Sequence, residues 1–158
     1  MKNNLRKIFL IIFFFNQYFN YTNASEDFIF ESKSIEILNS TKTIVAKEGV
    51  KIKSSDGINI SAFTSNYNKV SRILSLEKNI TIEDKPNKLS LNSEKIVYDK
   101  NKEIIFSKDK TEILISDLYI LKGADIKLDR NLLKLSSKKK ATLKDIYNNI
   151  LNLDGFYY

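Results

Sequence analysis

The sequence predicts an all-β protein, a sandwich, jelly roll or barrel of short antiparallel strands. Three observations carry this. Apolar and polar residues alternate along short segments, which is the period of a half-buried strand. Turn signals recur every 8–12 residues, giving about ten to twelve strands. The pattern also repeats loosely with a period of about 30 residues, as stacked units that share one core do.

The clearest unit runs over residues 42–68. Thr43 to Lys47 reads as one short strand, Glu48-Gly49 as a break, and Val50 to Lys53 as the next strand. Ser54-Ser55-Asp56-Gly57 is a hairpin turn, with glycine supplying the positive φ. Ile58 to Ala62 alternates again, and Tyr67-Asn68 closes the unit. Residues 71–99 form a second copy. There Asn79-Ile80 takes the place of Gly49-Val50, Asp84 to Asn87 takes the place of the Asp-Gly turn, and Tyr98-Asp99 echoes Tyr67-Asn68. Residues 103–129 are a weaker third copy ending in Leu128-Asp129.

The other elements follow in order. Residues 1–24 have the layout of a secretory signal peptide: a basic start with Lys2, Arg6 and Lys7, the apolar run Ile8 to Phe15, and Thr22-Asn23-Ala24 before a cut ahead of Ser25. The run is too short to span a bilayer. The expectation is thus an exported domain over residues 25–158. Its first strand lies near 34–38, behind a short extended arm containing Phe28 and Phe30. Ser93 to Tyr98 could form a helical turn, but Ile96-Val97-Tyr98 favour a strand. Later strands are expected at 104–106, 113–115, 118–121, 124–128 and from 141, with Leu133 and Leu135 facing inward. The one proline, Pro86, sits in a turn, where no ladder donor is lost. The chain ends on Gly155-Phe156-Tyr157-Tyr158 with no polar tail, which reads as the N-terminal part of a longer protein.

Composition excludes much chemistry. The 158 residues contain no histidine and no cysteine, so the commonest metal ligands and general bases are missing. There is no nucleophile elbow and no glycine-rich phosphate loop. Neither an enzyme nor a cofactor is expected. A hydrolase using Glu77 and Asp84 is weighed and set low, since nothing pairs them with a nucleophile. The net charge is +7, but three of the 26 basic residues lie in the signal segment, so the remainder is no nucleic-acid footprint.

Ile44, Ala46, Gly49, Val50 and Ile52, then Asp56-Gly57, then Ile60, Ala62, Tyr67 and Asn68 form a pattern that resembles the OstA-like family of lipopolysaccharide transport proteins. The likeness covers roughly residues 34–143 and is close only in the first unit. It implies a slightly open periplasmic β-jelly roll, at or near the outer membrane, whose apolar interior shields the acyl chains of lipid A. It implies stacking on other Lpt jelly rolls through edge strands, here near Ile35-Ile37 and Leu151-Leu153. The N-terminal domain of an LptD-type outer-membrane barrel, with the barrel in cis, is the leading placement; a whole LptA-type bridge protein is the alternative. A surface β-solenoid with a structural or adhesive role is a third reading. The inward, lipid-facing set expected from the alternation is Ile44, Ala46, Val50, Ile52, Ile58, Ile60, Ala62, Ile80, Ile82, Leu89, Leu91, Ile113 and Ile115, continued by Ile126 and Leu128. Each is also what an ordinary packed core would contain. Lys47, Lys51 and Lys53 are either solvated outer-face residues or phosphate contacts near the mouth. Tyr67 and Tyr98 are expected to cap strand ends.

Overall fold

The computed structural model describes residues 27–40 and 42–157, so the signal-peptide reading lies outside the described residues. Within them there is no helix. Fourteen strands join one antiparallel sheet. They are β1 (Phe28–Glu31), β2 (Ser34–Leu38), β3 (Thr43–Ser54), β4 (Ile58–Asn68), β5 (Ile73–Asp84), β6 (Leu89–Asp99), β7 (Ile104–Ser107), β8 (Thr111–Ile115), β9 (Tyr119–Gly123), β10 (Ile126–Asp129), β11 (Lys134–Ser137), β12 (Ala141–Asp145), β13 (Ile150–Leu153) and β14 (Phe156–Tyr157).

The sheet is folded along a line that crosses every rung. In β3 and β5 the fold line is a bulge. Glu48 and Gly49 have φ of 65° and 87°, and Lys78 and Asn79 have 64° and 51°. The ladder register shifts at both places, between Lys47 and Val50 and between Glu77 and Ile80. Extra residues with left-handed backbone bend a strand without ending it. The break expected at Glu48-Gly49 is therefore a bend inside one twelve-residue strand. Past β6 the bends become short links, 108–110, 124–125, 138–140 and 154–155. Each rung contributes one segment to each half. The first half holds β1, the second part of β3, the first of β4, the second of β5, the first of β6, then β8, β9, β12 and β13. The second half holds β2, the complementary parts of β3 to β6, then β7, β10, β11 and β14. The result is a V-shaped jelly roll. Every ladder is antiparallel, which removes the solenoid, whose rungs stack in parallel.

The hairpin turns all lie along the open side, the mouth. Those of the first half fall at 55–57, 85–88, 116–118 and 146–149, and those of the second at 39–42, 69–72, 100–103 and 130–133. The period of about 30 residues is thus one hairpin in each half. The turns of the second half share a device. Asn68 Oδ1 accepts from the amides of Val70 and Ser71, Asp99 Oδ1 from Asn101 and Lys102, and Asp129 Oδ1 from Leu132. These are Asx turns. Each turn also bonds the one before it: Lys69 N–H donates to Lys42 O, Lys100 to Arg72 O and Arg130 to Glu103 O, at 2.7–3.0 Å. Arg72, Glu103 and Leu133 hold the equivalent left-handed position, at φ of 55°, 54° and 52°. Leu133 is for that reason a turn residue, 52% exposed, and does not face inward as expected, while Leu135 is buried. Residues 93–98 lie within β6, with no helical turn.

Candidate functional site

The interior of the V is layered. At the fold line, where the two halves converge, small and hydroxyl-bearing residues dominate: Ala46, Ala62, Ser65, Ser93, Ser107, Thr111 and Ala141, all buried. Ser93, Ser107 and Thr111 hydrogen-bond one another across β6, β7 and β8. Ser65 Oγ is buried with no partner. Leu76, Ile96 and Ile126 stand beside Ser65 and Ser107 in the same row. The middle layer is aliphatic, with Ile52, Ile60, Ile82, Leu91 and Ile113 of the first half and Leu74 and Ile105 of the second buried.

The structure places the whole expected inward set on this interior. Ala46, Val50, Ile52, Ile58, Ile60, Ala62, Ile80, Ile82, Leu91, Ile113, Ile126 and Leu128 are buried, and Ile44, Leu89 and Ile115 pack against them half-buried. Alternation alone missed Phe28, Leu74, Leu76, Ile96, Ile105 and Leu121, which are equally buried. Lys47, Lys51 and Lys53 lie on the outer face, exposed. Lys47 pairs with Glu36 at 3.6 Å and Lys53 with Glu31 at 3.3 Å. Glu77 is also on the outer face, paired with Lys95 at 3.3 Å, whereas Asp84 is 1% exposed on the inner face. The two acids of the hydrolase reading thus stand on opposite sides of the sheet.

The mouth layer holds what sequence reasoning did not find, a buried set of charges joining the two halves. Arg130 Nε donates to Asp84 Oδ2 at 2.7 Å, and its NH1 reaches Asp56 Oδ2 at 2.8 Å, Tyr98 OH at 2.9 Å and Glu103. Lys100 Nζ lies 2.6 Å from Asp56 Oδ2 and 2.6 Å from Glu103 Oε1. Tyr98 OH donates to Glu103 Oε2 at 2.6 Å. Asp84 also accepts from the Asn87 amide group at 2.8 Å. Asp56 lies in a hairpin turn and Asp84 ends a strand of the first half, and Tyr98, Lys100, Glu103 and Arg130 belong to the second. Burial opposes the charge on Asp56, but hydrogen bonds from Lys100, Ser54 and Arg130 outweigh it and hold the carboxyl well below its usual range. Burial and the bond to Glu103 push the Tyr98 phenol above its ordinary value. Two cations facing three carboxylates satisfy one another where water is scarce. Tyr98 is wholly buried, so it closes the interior instead of capping a strand end in solvent.

A second, smaller group lies one unit earlier. Tyr67 OH donates to Asp27 Oδ2 at 2.6 Å, and Arg72 Nε donates to the same oxygen at 2.7 Å. Phe28 packs edge-on against Tyr67 and Tyr98, with centroids 5.0 and 5.8 Å away. Past Arg130 the mouth changes character. Ile115, Tyr119, Leu121, Leu135, Leu143, Leu151, Leu153, Phe156 and Tyr157 line an apolar hollow of about 420 Å³ at the C-terminal edge. Of the expected lipid-facing set only Ile115 lines it; the others lie beneath the closed mouth. Among the described residues, no cluster of acidic residues could hold a metal.

A family model described as OstA-like protein matches residues 15–121. The chain belongs to the OstA-like family. No match is found among curated proteins. Among solved structures, this OstA-like chain is similar to LptH of Pseudomonas aeruginosa, the LptA homologous periplasmic component of its lipopolysaccharide transport device. Identity is 11%, the TM-score is 0.63, and the alignment covers 80% of this chain and 93% of LptH. That likeness is one of fold, an LptA-like jelly roll.

Two signals for the mouth charges were present in the sequence. The echo of Tyr67-Asn68 in Tyr98-Asp99 marks the same register position, and Lys69, Lys100 and Arg130 each follow the turn-capping residue. Which cations at these turns point inward depends on the carboxylates opposite, supplied from 44 to 74 residues away in sequence.

Proposed function

We propose that this protein is a non-enzymatic carrier in lipopolysaccharide transport, a periplasmic jelly roll that shields lipid A acyl chains from water. The observation that carries the reading is the apolar interior of the V, which opens into a hollow at one edge, in a chain of the OstA-like family. Each methylene hidden from water is worth about 0.8 kcal/mol, so an acyl chain of about a dozen carbons gains on the order of 10 kcal/mol. No reactive side-chain set is needed for this work.

The two ends of the sheet support the stacking part of the reading. Among the described residues β2 pairs only with β3 and β13 only with β12, so there each carries a free edge. Ile35, Ile37 and Leu38 on one and Ile150 and Leu151 on the other are exposed large apolar residues. A neighbouring jelly roll would add its strand there by main-chain hydrogen bonds, and the apolar interiors would run on from one to the next. Residues 1–24 act as the export signal in this reading; the mass of the protein recovered from the periplasm tests the cut ahead of Ser25.

For placement, an LptD N-terminal domain with the barrel in cis is the leading reading. The fold likeness to LptH supports a bridge protein of LptA type as the second reading. The downstream reading frame separates them.

The test of the carrier reading is extraction of the protein from envelopes in mild detergent, followed by mass spectrometry for lipid A. A benzoylphenylalanine at Leu143, in the hollow, is expected to crosslink to lipopolysaccharide. Protein free of lipid A, with no crosslink at Leu143, would sink the reading.

A further inference from the structure

The mouth is closed by a device that recurs with the repeat and then lapses. In the first unit Tyr67 gives its hydroxyl to Asp27, and Arg72 holds the same carboxylate. In the second, Tyr98 gives its hydroxyl to Glu103, and Arg130 holds that carboxylate while reaching across to Asp84 and Asp56. Both tyrosines stand one residue before the side chain that caps the turn. In the third unit that place is Leu128, and Leu133 stands where Arg72 and Glu103 stood. No hydroxyl and no charge remains there to bind across the gap, and the apolar hollow begins.

We propose that this tyrosine–carboxylate–arginine clasp sets which stretch of the interior a lipid chain can reach. The clasp closes the trough over the first two units and leaves the third as the place of access. The inference rests on the carrier reading above and adds the residues that control access. Parting the halves above Ile60 or Leu91 means separating Arg130 from Asp84 and Asp56, and Lys100 from Asp56, at once. Parting them at Leu143 breaks no ion pair across the mouth. The mouth is therefore open to lipid at the C-terminal edge, and the interior beneath the clasp is reached through the mouth only when the clasp is released.

The experiment uses the full mature chain with spin labels at two pairs of exposed turn residues. Ser55 and Lys102 straddle the clasp; Asp117 and Asn131 straddle the unclasped mouth. Electron–electron distances are read with and without purified lipopolysaccharide. In the native background, lipopolysaccharide is expected to widen the 117/131 distance and leave 55/102 unchanged. With Arg130→Met, it is expected to widen 55/102 as well. Should that variant fail to fold by circular dichroism, Asp56→Asn, which weakens the pairs that Lys100 and Arg130 make across the mouth, is expected to widen 55/102 by a smaller amount. Widening of 55/102 in the native chain, or a fixed 55/102 distance in a folded variant with lipid bound, overturns the clasp. If lipopolysaccharide moves neither pair and mass spectrometry finds no lipid, the carrier reading fails and the proposal falls with it.

Discussion

Gly57 shows how much one backbone angle decides. Its φ is 89°, and a Cβ built there would lie 3.0 Å from Pro86 Cγ. Gly49 has nearly the same φ, 87°, but open space around the missing Cβ. Gly57→Ala is expected to cost about 2 kcal/mol, the left-handed penalty plus a displaced proline, and Gly49→Ala only about 1 kcal/mol. Urea midpoints of the two variants check the difference. Ser65 works the other way. Its hydroxyl is buried without a partner, so Ser65→Ala is expected to raise stability by about 1 kcal/mol. Arg130 is the most consequential single side chain. Replacing it by Met leaves Asp84, which is 1% exposed, without its cation. The expected loss is about 3–5 kcal/mol, against about 1–3 kcal/mol for Tyr98→Phe. Denaturant titration of the two ranks them.

At the scale of elements, the bulge is the unit that turns a flat sheet into a trough. Glu48-Gly49 in β3 and Lys78-Asn79 in β5 each carry the bulged strand one residue further than its partner, and Ala46 to Val50 and Leu76 to Ile80 keep the even spacing that leaves both sides of the bend facing inward. Deleting Glu48 and Gly49 together preserves the alternation but straightens β3. The expected result is a protein with strand content by far-ultraviolet circular dichroism but no near-ultraviolet tyrosine signal, because the two halves no longer face each other. A native near-ultraviolet spectrum would show that the neighbouring bends suffice. This is also where the sequence was hardest to read. A dipeptide such as Glu-Gly marks the end of a strand as readily as a bulge, since positive φ serves both. The pairing of Val50 with Ala62 and of Lys47 with Thr64 resolves it, and that pairing is a property of two strands. The same holds for Tyr67 and Tyr98. Their recurrence was plain, but their role depends on carboxylates brought in by other strands.

For the molecule as a whole, pH should act through the mouth. The hydrogen bond from Arg72 leads in holding the Asp27 carboxyl below its usual range, and Asp56 is held low as described. Both carboxyls bind a proton more weakly folded than unfolded. Their contribution is therefore present above the unfolded pKa of about 3.9 and is lost as pH falls through the folded values. Burial, with the bond each makes to a carboxylate, raises the phenols of Tyr67 and Tyr98. That contribution is present below the unfolded pKa of about 10 and is lost as pH rises beyond it. The chain has no histidine, so stability is expected to be flat from about pH 5 to pH 9. Urea midpoints measured across the range should form a plateau with two falling sides. A slope near neutrality would contradict this account.

The sequence by itself determined the all-β class, the repeat, the antiparallel hairpins at Asp56-Gly57 and around Pro86, and the dry face of the strands that carry Ile52, Ile60 and Ile82. Those are local properties: the period of side chains along a strand and the backbone freedom of the turn residues. Only the tertiary structure decided that the sheet folds on itself at the bulges, that Asp84 and Arg130 meet across the mouth, and that the interior opens beside Leu143 and Leu151. Those depend on contacts between residues far apart in the chain. A carboxylate in a turn looks the same in sequence whether it faces water or an arginine from the other half.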